Sequence, residues 1–214
     1  MENESRKFVY NAEQIARLER SLSPERLAPY VTLAGNNKVA AIGLYERNTA
    51  LSESLYGLLQ GLEVAVRNAM HETLKTALGR ADWYDHVPLY HLQSTLNHAK
   101  QKLTENGKAH DPGRMVAELS FGFWTSLTGP KFAAGLWNPY LHRAFAHKKL
   151  RRKEAHPRLD RIRKLRNRVA HHEPILNRNL QRDFVDILDT IDWICPDTRL
   201  WVEETSSFLE RFHR

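Results

Sequence analysis

Residues 38–78 read KVAAIGLYERNTALSESLYGLLQGLEVAVRNAMHETLKTAL. Leu44, Leu51, Leu55, Leu58, Leu59, Leu62, Val66, Met70 and Leu74 recur three and four apart, the period of a helix with one broad apolar face. A continuous helix here would run roughly 60 Å at ~1.5 Å per residue. A break is therefore expected near Asn48-Thr49, and Gly79 is expected to cap the C-terminus.

The same period extends outward. Ile15, Leu18 and Leu22 mark a first helix, and Ser23-Pro24-Glu25 opens a short second one with proline at its first position. Residues 88–105 read as a helix stopped by Asn106-Gly107, and residues 112–127 as the next. A Gly/Pro-punctuated loop is expected over 128–139. Residues 157–171 carry Leu159, Ile162, Leu165 and Val169 as a narrow apolar stripe, with Pro174 expected to end or kink the helix. Over 180–195, Phe184, Ile187, Leu188 and Ile191 face inward, while Asp183, Asp186, Asp189 and Asp192 are expected largely outside that stripe. No window shows sustained alternation of apolar and polar residues, and no repeat or linker is visible. The expectation is one all-α domain over residues 1–214.

Composition bounds the function. The chain has 214 residues, 42% hydrophobic and 27% charged, an ordinary globular balance. No apolar run approaches ~18 residues, and Met1-Glu2-Asn3-Glu4 is acidic with no apolar signal core. The single Cys195 leaves no intramolecular disulfide and no thiolate zinc cluster, which suits a reducing cytoplasm. No membrane partner is expected. The net charge is +7, and residues 142–168 alone hold twelve Lys/Arg against two acids, so the rest is mildly acidic. Such a block is either a solvated face or a surface that displaces counterions from a polyanion. On the second reading Lys148, Lys149, Arg151, Arg152, Lys153, Arg163, Lys164 and Arg168 contact RNA.

Several chemistries lack their motif. Gly107-Lys108 and Gly129-Pro130-Lys131 have neither the partner glycine nor the Ser/Thr of a phosphate loop. There is no Gly-x-Ser-x-Gly elbow, and His71-Glu72 lacks the second histidine one turn on. Among the eleven histidines, none pairs at i, i+4 with carboxylates in ligand register, so neither metal nor cofactor is expected.

What remains is Leu165-Arg166-Asn167-Arg168-Val169-Ala170-His171-His172. RNA carries its own nucleophile, the ribose 2′-hydroxyl, so cleavage needs a base and a cation at the phosphate. Histidine titrates near neutrality, and arginine is always charged and forks onto two phosphate oxygens. Arg166 and His171 lie roughly 140° apart on a helix, so they flank rather than stack. Asn167 and His171, at i and i+4, can touch, and the small Ala170 would let another helix approach. The bare spacing also occurs at Arg151 and His156, and Arg-Asn recurs at Arg47, Arg67 and Arg178. The structural alternative is a helix C-terminus whose histidines cap carbonyls and whose arginines are solvated.

This stretch resembles the Arg-Asn-x-x-x-His signature of HEPN-superfamily ribonucleases, and more narrowly of Abi-like abortive-infection proteins (the AbiD/AbiF group). Leu62-Glu-Val-Ala-Val-Arg-Asn-Ala69 is similar to that group's Glu-x-x-x-Arg helix. Val116-Ala-Glu-Leu-Ser-Phe-Gly-Phe-Trp124 is similar to its Glu-x-x-Ser-Phe-Gly segment. The resemblance spans about residues 38–182, in the expected order. It implies an all-α, HEPN-like helical bundle with additional N- and C-terminal helices, and a homodimer whose two motifs face each other. It also implies metal-independent endoribonuclease activity in bacterial phage defence, restrained by an RNA or protein inhibitor. By position, Arg166 and His171 would be catalytic with Asn167 beside them, and Glu63, Arg67 and His172 would support them. His71 would be a helix-surface polar group, and Glu118 with Ser120-Phe121-Gly122 would maintain helix packing. Two other functions compete: a non-catalytic RNA-binding module of the same fold, and a helical interaction regulator whose basic block docks an acidic partner.

Overall fold

The structure, a computed structural model, describes residues 10–213. The acidic N-terminal tetrapeptide and the first nine residues of the N-terminal helical extension lie outside the described residues. The fold is all-α, with ten α-helices and no strand among the described residues. The first three are α1 (Ala12–Leu22), α2 (Pro24–Leu33) and α3 (Lys38–Leu78). The middle of the chain forms α4 (Gln93–Glu105), α5 (Pro112–Glu118), α6 (Phe121–Leu127) and α7 (Arg152–Ala170). The last are α8 (Leu180–Asp192), α9 (Pro196–Glu204) and α10 (Phe208–His213).

Helix α3 is the axle, packing against α2, α6, α7, α8, α9 and α10. Leu51, Leu55, Leu58, Leu62, Val66, Met70 and Leu74 are buried along it. Gly79 takes the left-handed conformation (φ 69°) and caps it, as expected. The expected break does not occur, because Asn48 serves the tertiary structure instead. Its side chain is buried, accepts the Ile175 N–H at 2.7 Å and donates to the Glu173 carbonyl at 3.4 Å. A residue that competes with helix in isolation here ties the helix to the segment after α7.

Other boundaries move for local reasons. The expected helix from residue 88 begins at Gln93, after a single 3-10 turn at Tyr90–Leu92. The expected helix over 112–127 is two, because the Ser120 hydroxyl accepts the Phe123 N–H and starts α6 afresh. The expected loop over 128–139 contains the 3-10 turn Pro130–Phe132 and the π-helical turn Ala133–Trp137. Helix α7 begins before Pro157, where the Glu154 carboxylate accepts the Arg151 N–H at 3.0 Å. Helix α8 stops at Asp192, and α9 restarts with Pro196 at its first position.

Two polar placements also differ from expectation. Asp183 and Asp186, expected outside the apolar stripe of α8, are buried and take up arginines. Asp183 pairs with Arg178 at 2.8 Å, and Asp186 with Arg161 at 2.7 Å and Arg158 at 3.3 Å. His71, expected on a helix surface, is buried and accepts the Trp83 indole N–H on Nδ1 at 3.1 Å. Burial pulls its pKa down, since the imidazolium is poorly solvated there. The native state therefore holds this imidazole neutral, while the unfolded chain protonates it near pH 6.5. Its contribution to stability should be present above about pH 6.5 and lost as pH falls below it. Melting curves between pH 8 and 5 should show a steeper decline for the wild-type chain than for His71→Gln. Parallel declines would refute this assignment.

Candidate functional site

The three sequence stretches that carry the resemblance meet in one place. Glu63 and Arg67 of α3, Glu118 and Ser120 at the α5–α6 elbow, and Arg166 of α7 line a cleft of about 330 Å³, with Lys102 of α4 at its wall. The break between α5 and α6 falls at this wall of the cleft, where Leu119 and Phe121 also line it. Arg166 donates from Nε to Glu63 Oε1 at 2.6 Å. Lys102 forms an ion pair with Glu118. Arg67 donates from Nε only to its neighbour Asn68, at a long 3.4 Å. Three cations thus face two carboxylates, and the side chain that braces Arg166 is Glu63, with Arg67 left toward the cleft. Glu118, expected to maintain helix packing, has a charged partner there.

His171 stands apart. It is the C-cap of α7, exposed, and does not line the cleft. Its link to Asn167 is through the backbone, the His171 N–H donating to the Asn167 carbonyl at 2.9 Å. Among the described residues no hydrogen bond joins the Asn167 side chain to the imidazole. The roughly 140° between Arg166 and His171 along α7 separates them onto different sides of the helix.

The turn that follows is built with care. His172 adopts a left-handed conformation (φ 56°), its N–H donates to Val169 O at 3.2 Å, and Glu173 N–H donates to Arg168 O at 2.8 Å. That pair of bonds is a Schellman motif, so α7 ends before Pro174 is reached. Arg26 of α2 donates to the His172 carbonyl at 2.7 Å, and Arg168 donates to the Pro174 carbonyl at 3.1 Å. Arg168, expected on RNA, is engaged in holding this turn, and His172, expected to support the site, makes these bonds through its backbone.

The remaining basic residues divide into two groups. Arg163 and Lys164 both pair with Asp160, one turn back on α7, at 2.7 and 2.9 Å. Arg158 and Arg161 are matched by the acids of α8. Lys148, Lys149, Arg151 and Arg152 instead line a groove of about 710 Å³ at the N-terminal end of α7, and Lys153 is exposed beside it. Sequence reasoning missed Lys102 and Arg26 as parts of this arrangement. No spacing rule connects either to the motif, since Lys102 lies 16 residues from Glu118 and Arg26 lies 146 from His172.

No helix among the described residues is long and apolar enough to cross a membrane. Comparison of the chain with protein-family models, curated protein sequences and solved structures gives no match.

Proposed function

We propose that this protein is a metal-independent endoribonuclease of the HEPN type, Abi-like, acting in phage defence in the cytoplasm. The observation that carries the reading is the convergence of Glu63, Glu118, Ser120 and Arg166, from three separated motifs, on one charged cleft. In this mechanism His171 accepts the proton of the ribose 2′-hydroxyl as its oxygen attacks the adjacent phosphorus. The 5′-oxygen leaves with a proton from a histidine acting as acid, and a 2′,3′-cyclic phosphate remains. Arg166, oriented by Glu63, neutralises the charge that develops on the phosphorane oxygens. Because Arg166 and His171 face different sides of one α7, the reading includes a homodimer in which two motifs complete each other. The exposed, small Ala170 leaves room for that approach. An RNA or protein inhibitor would act by covering this region.

Purified protein incubated with total RNA in EDTA should still cleave, leaving 2′,3′-cyclic phosphate ends. Products with 5′-phosphate and 3′-hydroxyl ends, formed only with added magnesium, would overturn the mechanism.

A second reading, a non-catalytic RNA-binding module, is favoured by one fact: His171 lies outside the cleft that holds Arg166. His171→Ala separates the two, since loss of cleavage with retained RNA binding belongs only to the enzyme.

A further inference from the structure

The positive charge of this chain is concentrated at one end of α7, away from the cleft. The groove there is lined by Arg143, Lys148, Lys149, Arg151 and Arg152, with His142 and no carboxylate. Arg151 is offset by Glu154 at 3.0 Å, Arg152 reaches the Thr128 carbonyl at 3.4 Å, and Lys148 lies over the Trp193 ring at 5.3 Å. No carboxylate within ion-pair distance of Arg143, Lys149 or Lys153 is found among the described residues. Farther along α7 the cations are matched by Asp160, Asp186 and Asp189. The aromatic and aliphatic residues of the groove, Trp137, Phe145 and Leu150, are all buried, so none of these side chains is offered as an exposed anchor. A protein partner needs such anchors exposed to bind well, whereas a phosphate backbone needs only cations.

We infer that this groove is a second RNA-backbone site, which holds the strand at a fixed distance from the cleft and so sets a minimum substrate length. The inference rests on the RNA reading given above. From Arg152 to Arg166 is fourteen residues of continuous helix, about 21 Å at ~1.5 Å per residue. A stacked strand advances about 3.4 Å per phosphate, so about six nucleotides bridge the two sites, and fewer if the strand is stretched. Arg163, half-buried on the flank of α7 that meets Gly122 of α6, stands between them. Short RNA would reach the cleft alone and gain nothing from the groove.

The test uses 2′-O-methyl oligouridylates of 2, 4, 6, 8 and 12 nucleotides, which cannot be cleaved, with affinity read by fluorescence anisotropy at three salt concentrations. Affinity should climb at least ~10-fold between two and eight nucleotides and then level off. In Lys148→Glu/Lys149→Glu that climb should disappear, and the salt slope for the longer oligomers should fall by at least about 1.4 at ~0.7 per phosphate contact. An unaltered climb and slope in the double variant would overturn the groove assignment while leaving the nuclease reading intact. So would an affinity in the wild-type chain that does not depend on length. Failure of the wild-type chain to bind any of the oligomers would overturn both. Unchanged melting of the double variant keeps a folding defect from mimicking the result.

Discussion

Arg166→Ala should lower single-turnover RNA cleavage by about 10²–10³-fold, while RNA affinity falls far less. The guanidinium sits in the cleft with its Nε held by Glu63 at 2.6 Å, which turns its remaining donors toward the space between α3, α4 and the α5–α6 elbow. On the nuclease reading proposed above, those donors matter most when charge develops on the phosphorane, so the loss belongs to turnover rather than binding. Arg166→Lys should not rescue it, because an ammonium cannot keep the carboxylate bond and fork onto phosphate at once. The measurement is cleavage rate at saturating enzyme beside affinity for a non-cleavable RNA. Unimpaired turnover in Arg166→Lys would show that the cleft is not where the phosphate reacts.

The largest stability effect should come from α8. Asp186 is 5% exposed and accepts from Arg161 at 2.7 and 2.9 Å, with Arg158 at 3.3 Å and Arg182 at 3.8 Å. Removing that carboxylate leaves the guanidiniums facing one another against a buried helix face. Asp186→Ala should therefore cost about 3 kcal/mol. Asp189, half exposed and paired with Arg158 alone, is the control, and its alanine variant should cost about 0.5 kcal/mol. Urea midpoints of both variants check this. Equal midpoints would mean that the α7–α8 seam is held by its apolar contacts and not by its charges.

The cations of α7 and of the segment just before it fall into separate groups. Of the α7 cations expected on RNA, Arg163 and Lys164 spend their charge on Asp160, and Arg168 holds the turn that ends the helix. The unmatched cations lie just before the helix or in its first turn. A count of charges along the chain sees a single block, because it cannot see that α8 folds back with its acids against α7.

Much of this molecule is legible without coordinates. Period-3.6 spacing of leucines over residues 38–78 makes a helix with one apolar face, and Gly79 ends it for want of a Cβ at positive φ. The cleft arginine, its partner Glu63 and the α5–α6 elbow also lie in motifs visible as strings of residues. Local preference misleads where a tertiary bond outweighs it. Asn48 breaks nothing because the Ile175 N–H needs its carbonyl oxygen, and His71 is buried because Trp83 needs an acceptor. His172 ends α7 in a conformation usual for glycine, with Arg26 bonded to its carbonyl. By itself, then, the sequence determined the helices and the residue types able to do acid–base and phosphate chemistry, since both depend on neighbours within a few positions. Only the tertiary structure decided that Glu63 holds Arg166 and that free positive charge gathers at one end of α7. Those outcomes depend on pairings between residues 103 or more positions apart and on acids brought against α7 by another helix, which spacing along a chain does not encode.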